Sequence, residues 1–505
     1  MSTTAHPTSR VKPPLPGDIQ KLVTSGYRAE CSRHLILTVL HAALARQFLH
    51  QLRLGDWLVD ANQPWDGRAG RCALSLGITF AGLKKLELDD RLLDVLRAKA
   101  PAFAQGAWAR AKDQLGDVGN STPGRWDASF GPDSAHLLLI LHANDVTNLA
   151  AATDKLKRLA HEQAFATHWA AHDGVHLGTG TVGRRVHFDM LDGLSKPTIL
   201  PEPPGPEDLP NAARNSHRLG EFVLGYDNDD QINPWRLAAE RPASTRVPAE
   251  EQSRALAEFF KNGSFAAFRK MAQDEAGFRS FVRQQAQRLQ GKYTLAQAEA
   301  FIRAKLLGRW DDGRVVQAND TMDSGPTGPS VAAAFDFAGD QAGLGCPFGA
   351  HIRRMNPRDD PVVPIRRRPI LRRGMPYGEA YLRDDCQNDG QDRGLLGLFF
   401  CASLEHQFEH LVGQWANDTP MGPNNRGNAR DPLIGHNDPA RHVYDIPLSD
   451  TAALALRGLE PFVTTKGTLY AFFPSLSAVK QLSSPERTHY DALLPYPAET
   501  GPASP

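Results

Sequence analysis

Residues 346–378 read CPFGAHIRRMNPRDDPVVPIRRRPILRRGMPYG. From His351 to Arg373 this segment sets eight arginines against two aspartates. Across the whole chain 57 basic residues cancel 57 acidic ones, so the local excess calls for an anionic ligand rather than a general field. Nucleic acid fits poorly, because stacking aromatics are absent from that stretch and prolines interrupt it. One imidazole among guanidinium groups suits a haem: histidine can ligate iron while arginines neutralise propionates. A solvated basic loop would carry the same residues, and spacing alone leaves both readings open.

Three other motifs suggest chemistry and lose it in context. Residues 178–183 (GTGTVG) spell GxGxxG, which binds dinucleotides only where the loop opens a helix. Residues 184–188 (RRVHF) alternate like a strand instead. Residues 406–410 (HQFEH) spell HxxEH, the inverted zinc-peptidase motif, on a helix expected over 404–415. At ~100° per residue, Leu404, Phe408, Leu411, Val412 and Trp415 share one face, and both histidines fall opposite, facing water. A zinc peptidase is therefore a weak rival. His168, His172 and His176 recur every four residues like a helical metal ladder, but Gly174 interrupts that helix and surface histidines at a helix end are expected.

The elements that must position this chemistry follow a mixed grammar. Apolar residues make up 41% of the 505 and charged residues 23%, which suits a chain with sizeable cores. Strands are expected over 33–39, 73–78 and 135–141, and helices over 42–52, 80–86, 89–96 and 146–165. The second half repeats the pattern: strands over 221–226, 395–401 and 468–473, and helices over 255–288 and 404–415. Strands alternating with helices at irregular spacing predict an α+β class with antiparallel sheets. Proline-rich residues 200–215 mark the best boundary. Five scattered cysteines without CxxC argue against disulfides and cysteine zinc sites. The opening residues carry no apolar h-region and no apolar run spans a bilayer, so a cytoplasmic protein without membrane or nucleic-acid partners is expected.

The segment 346–378 closely resembles the haem signature of dye-decolorizing (DyP-type) peroxidases, roughly CPFxAHIRRxNPR followed by RRGxPYG. The likeness runs along most of the chain. Residues 18–20, 33–35 and 78–86 (ITFAGLKKL) resemble the family's first half. Residues 220–226 (GEFVLGY), 262–264 and 305–310 (KLLGRW) look like its long bacterial form, and 393–396, 414–417 and 463–480 match its C-terminal elements. The resemblance implies two ferredoxin-like α+β domains, with one haem b (iron protoporphyrin IX) held mainly in the second. The expected limits are a tail at 1–17, a domain at 18–205 carrying the distal loop, a haem-binding domain at 216–490 and a tail at 491–505.

The same resemblance implies site roles. His351 would be the proximal iron ligand, with Asp431 (in RDPLIG) as acceptor for its other nitrogen. The family's distal GxxDG falls on residues 189–193, DMLDG, so Asp192 would be the catalytic carboxylate and Asp189 replaces the first glycine. Two carboxylates three positions apart predict coupling between Asp189 and Asp192. Arg372, twenty-one residues after His351, corresponds to the distal arginine. Arg353 or Arg354 would meet propionates, and Leu396, Leu398 and Phe399 would wall the pocket. Tyr377 and Trp415 are candidate electron-hopping residues. The implied activity reduces hydrogen peroxide and oxidises phenolic compounds and bulky dyes in one-electron steps through a high-valent iron intermediate. A haem-binding protein of the same fold with little peroxidase activity is the near alternative. The sequence does not fix the oligomeric state, and a homo-oligomer is compatible with it.

Overall fold

The computed structural model describes residues 15–65, 72–177, 184–205, 210–211, 215–236, 249–289, 291–327, 335–362, 367–417 and 428–484. The GxGxxG stretch, Arg366 and most of both expected tails lie outside these residues.

The architecture is α+β, built on one antiparallel sheet to which both halves contribute. In the first half the strands run Ala170–Val175, Cys31–Leu37, Leu137–Ala143, Ala73–Ile78 across the sheet. Val463–Phe473, Ser264–Gln273, Gly394–Cys401 and the short Leu371–Arg372 follow in the second. Met375–Tyr377 also pairs with Gly394–Cys401. The halves join through one register pair, Ile78 with Phe472. Strands such as Leu137–Ala143 (LLLILHA) are buried at every position because both sheet faces are covered.

One face packs under helices, including Ala42–Leu54, which lies against Leu476–Ser483. On the other face Ile36, Leu138 and Ile140 share a core with Phe268, Leu396, Leu398 and Phe473, so this core crosses the junction. A third core joins helices Glu275–Gln287 and Leu295–Leu307 to the hairpin Val443–Pro447 with Ala453–Arg457. Thr294 and Gln297 cap the second helix reciprocally, and it stops at Gly308, whose φ is +98°. A Cβ at Gly308 would stand 2.4 Å from Ile352 and 2.9 Å from Cys346 Sγ. Only glycine lets this turn lie against the segment that carries His351.

Several expected elements change. Residues 221–226 form no strand; a 3₁₀ turn, Leu219–Glu221, precedes them. The helix expected over 255–288 is instead helix Ala249–Phe260, strand Ser264–Gln273 and helix Glu275–Gln287. Burial on both faces gives SFAAFRKMAQ no period-two pattern, and its alanines favour a helical reading. The helix after Asp145 ends at Leu159. His172 lies on the strand Ala170–Val175 rather than at a helix end, and is half-buried. The five cysteines are free thiols. Among the described residues no helix is long and apolar enough to cross a membrane.

Burial pushes the His142 imidazole down to about 3, helped by His176 and Arg184, and His172 down to about 4, helped by Lys270. An unfolded chain binds these protons near pH 6.5, so stability is full above that pH and falls as pH drops toward the folded values. His142 alone contributes a slope of about 1.4 kcal/mol per pH unit in that window. Urea midpoints measured from pH 8 to 4 should decline below about 6.5, and less steeply in His142→Phe.

Candidate active site

His351 opens a five-residue helix, His351–Met355, directly after the CPFGA turn. Asp340 fixes that turn, its carboxylate accepting from the Gly345 and Cys346 amides at 3.0 and 2.7 Å. His351 Nδ1 lies 2.9 Å from Oδ2 of the fully buried Asp431. The other oxygen, Oδ1, accepts from the Leu433 and Ile434 amides at 2.9 and 3.0 Å. Burial alone would raise the Asp431 pKa, but His351 beside it and these bonds outweigh that and hold it below the usual range. An ionised carboxylate only accepts, so His351 donates from Nδ1, and in the neutral ring that tautomer carries its lone pair on Nε2. No described residue bonds that nitrogen. This is the state an iron ligand needs.

Arg353 and Arg354 face the interior, which corrects the expectation that they meet propionates. Arg353 donates to Asp360, Asp340 and the Cys346 and Asp340 carbonyls, and stacks on Phe348 with its guanidinium carbon 4.0 Å from the ring centre. Arg354 donates to the Trp415 and Ala429 carbonyls at 2.6 and 3.0 Å. Both side chains are within 1% of complete burial. Their donors are spent on holding the proximal loop together.

Asp192 ends a small hairpin, Arg184–Val186 with Met190–Asp192. Its turn uses left-handed backbone at Phe188 (φ +66°) and Asp189 (φ +56°). Aspartate tolerates this conformation, so the turn forms without a glycine at position 189. Three contacts hold the hairpin: His187 Nε2 meets the Tyr377 carbonyl at 2.9 Å, the Phe188 amide donates to buried Glu275, and the Phe188 ring lies 4.5 Å from Phe278. Asp192 Oδ1 then sits 3.5 Å from an Arg372 guanidinium nitrogen, with both side chains partly open. Asp189 is drawn elsewhere: Arg185 donates to its Oδ1 at 2.9 Å and its carbonyl at 2.8 Å. The expected coupling with Asp192 therefore loses its geometry.

Arg372 is opposite Phe399 in the sheet, so these two share a face with Gly397 and Leu395. Leu396 and Leu398 point to the opposite face and belong to the core there, which corrects their assignment to the pocket wall. The Phe399 ring lies 2.6 Å from where a Gly397 Cβ would stand. Gly397 is thus what allows that ring to lean across the strand. Arg373 turns away to the Leu22 and Val23 carbonyls. Lys196 folds back over Gly193, its Nζ 3.7 Å from the position of a Cβ there. Tyr377 and Trp415 are 8% and 7% exposed, so neither presents a ring to solvent.

Two cations were not singled out from the sequence. Arg309, in KLLGRW, and Arg358, in NPR, both cover the Phe335 ring, at 5.1 and 3.8 Å. Arg309 donates to the Gly313 carbonyl, and Arg358 to the Phe335 carbonyl and to Ser195 Oγ, three residues past Asp192. Burial pushes both down to about 10, with repulsion from Arg372 on Arg309 and from Arg309 on Arg358. An anion beside them would relieve that cost. Their only signal in the sequence was position inside two short motifs.

The zinc reading finds no support. Glu409 of HxxEH is buried in a bidentate pair with Arg110 at 2.6 Å and accepts from Tyr470 at 2.9 Å. Among the described residues no group of three or more His, Cys, Asp or Glu could hold a metal.

No family model matches the chain. Dye-decolorizing peroxidase msp1 of Mycetinis scorodonius is 26% identical over 442 residues, spanning 82% of this chain and 76% of that protein. The multifunctional dye peroxidase DyP2 of an Amycolatopsis species is 27% identical over 455 residues, 87% of this chain and 90% of that one. A dye-decolorizing peroxidase solved in complex with 2,6-dimethoxyphenol superimposes with a TM-score of 0.72 at 24% identity, over 93% of this chain and all of that one. A fungal DyP-type peroxidase from Auricularia auricula-judae gives 0.71 at 22%, over 92% and 98%. The solved structures establish the fold, and the sequence relatives add identity across four-fifths of the length. Along most of its length the chain is similar in sequence and in fold to dye-decolorizing peroxidases.

Proposed function

We propose that this peroxidase uses haem b, held by His351, to reduce hydrogen peroxide at the Asp192–Arg372 pair and to oxidise phenolic compounds and bulky dyes. The observation that carries the reading is the fixing of His351 by buried Asp431 at 2.9 Å, which leaves Nε2 as a neutral ligand. The donor set suits the cofactor: one neutral imidazole, and two buried cations, Arg309 and Arg358, for the propionates. Bound haem supplies a redox-active iron that takes two oxidising equivalents from peroxide. Asp192 takes the proton from the nearer peroxide oxygen and returns it to the departing one. Arg372 faces the charge that develops on that departing oxygen. Overall, H2O2, two electrons and two protons give two waters. The complex of a relative with 2,6-dimethoxyphenol supports phenols as donors. Five free thiols support a reducing, cytoplasmic setting. The single cross-pair at Ile78 and Phe472 supports domains at 18–205 and 216–490.

The visible spectrum of His351→Ala tests the reading: the histidine-ligated Soret band near ~400 nm should be lost. A normal histidine-haem spectrum would place the ligand elsewhere. Arg372→Ala should keep its haem and slow the peroxide-driven spectral change by about 10²–10³-fold, the usual loss when a stabiliser of developing charge goes. Wild-type protein that binds haem yet leaves a dye unbleached would favour the low-activity haem protein. Asp189→Gly should leave the pH profile of the peroxide reaction superimposable, because Arg185 already holds that carboxylate.

A further inference from the structure

The first-half sheet carries a file of buried and half-buried histidines that the peroxide chemistry above does not use. His34 lies directly opposite His172 on the edge strand and opposite Ile140 on its other side. Two positions along, Ser32 lies opposite His142 and Gly174. All point to one face, since alternate residues of paired strands share it. His176 follows the edge strand by one residue and continues the row, its amide tied to the Glu30 carbonyl. Ser75, opposite Ile140, adds a hydroxyl to the same face. A lid of rings closes over it: Phe268 stacks on His34 at 4.7 Å and 3°, and Tyr27 lies 5.0 Å from His142.

Polar atoms in this seam are short of partners. Ser32 Oγ and Nδ1 of His142 are buried with no protein partner, while the Tyr27 and Ser75 hydroxyls face each other and His34 and His176 lie against the His172 and Ala29 backbone. A buried polar atom left unmet is costly, so Ser32 Oγ and His142 Nδ1 call for a further partner. Groups spaced along strands at intervals of about 5–7 Å suit bridging water, which needs two to four polar partners. The seam has two ends. At one, His176 shares its surroundings with Arg184, Glu30 and Asp192, and Arg184 is the register partner of Asp192. At the other, His172 Nε2 meets Ser129 Oγ at 3.1 Å, beside the partly open Lys270–Asp127 pair and Asp173.

We propose that His176, His142, Ser32, His34 and His172, with bound water, form a proton relay between the Asp192 pocket and the solvent edge at Ser129. The relay rests on the peroxidase reading and answers a need of its proton balance. A bulky donor oxidised at the protein surface gives its electron inward and releases its proton to bulk solvent. Two protons must then reach the pocket by another route to complete two waters. A neutral imidazole takes a proton on one nitrogen while releasing one from the other. The groups facing the relay are Arg184, Glu30 and Asp192 around His176, Arg184 around His142, and Lys270, Asp127 and Asp173 around His172. His34 faces only His142 and His172.

A crystal structure of the haem-loaded protein should hold ordered waters bonded to Ser32 Oγ, His142 Nδ1 and His176. A dry seam overturns the relay whatever the enzyme does. His142→Phe and Ser32→Ala should each slow steady dye turnover at saturating peroxide by about tenfold, less than the ~10² of a direct general acid because water still reaches the pocket. They should raise the solvent isotope effect, and a small buffer acid such as formate should restore turnover. The first reaction with peroxide should keep its wild-type rate, since Asp192 shuttles that proton locally. Wild-type turnover and isotope effect in both variants would overturn the relay. Ser32→Ala spares the ring packing, so it decides the matter if His142→Phe fails to fold. Wild-type protein that holds haem and the seam waters but bleaches no dye would overturn the peroxidase reading instead.

Discussion

A carboxylate with no exposed surface governs the proximal side. Asp431 can stay ionised in the interior because both oxygens find donors: His351 on one, and the Leu433 and Ile434 amides on the other. Its own backbone is held as well, its amide donating to the Ala416 carbonyl at 2.8 Å and its carbonyl accepting from Asn437 at 3.0 Å. Arg354 ties the same region together through the Trp415 and Ala429 carbonyls. The tautomer of His351 is therefore a property of the loop, not of the histidine alone. An imidazole carried by a five-residue helix gains its orientation from residues eighty positions away.

The Asp192–Arg372 pair depends on a different constraint, because its members come from opposite halves of the chain, Asp192 on a small hairpin outside the main sheet. One register pair joins the halves of that sheet, so side-chain contacts must set the 3.5 Å approach. Glu275 holds the hairpin turn, the Tyr377 carbonyl meets His187, and Arg358 reaches Ser195 just past the Asp192 hairpin. Each is a second-half group holding a first-half residue. Arg358 also belongs to the NPR motif seven residues after His351, so one side chain links the proximal segment to the distal loop.

Much of this was legible in the sequence, for reasons that vary by element. Strand Ala73–Ile78 matched its expected limits because ALSLGI is bounded by polar residues and a threonine cap. His351, Asp431, Asp192 and Arg372 could be named because short motifs hold them in fixed spacing, and the structure brings them into two facing pairs. Strand Ser264–Gln273 was missed since burial on both faces erases alternation. The histidine row was misread because a four-residue repeat fits a strand face as well as a helix face. Leu398 was placed in the pocket by proximity in sequence, yet one step along a strand reverses the face, and only the pairing of Arg372 with Phe399 reveals which residues look inward.

The arginine-rich segment shows why residue type alone could not assign roles. Its guanidinium groups meet three fates, decided by which acceptors the backbone offers. Arg353, Arg354 and Arg373 are satisfied by interior carbonyls or aspartates and serve as struts. Arg368 reaches the His406 carbonyl near the surface. Arg372 meets Asp192, and Arg358 lies close enough to Arg309, from another motif, for the two to repel. Burial, with repulsion from a neighbouring guanidinium, pushes Arg309 and Arg358 down to about 10 in each case. Among their acceptors are the Gly313 and Phe335 carbonyls and the Ser195 hydroxyl. An anionic group beside two such buried cations would relieve their repulsion, so the same desolvation that weakens their hold on a proton favours a neighbour of negative charge.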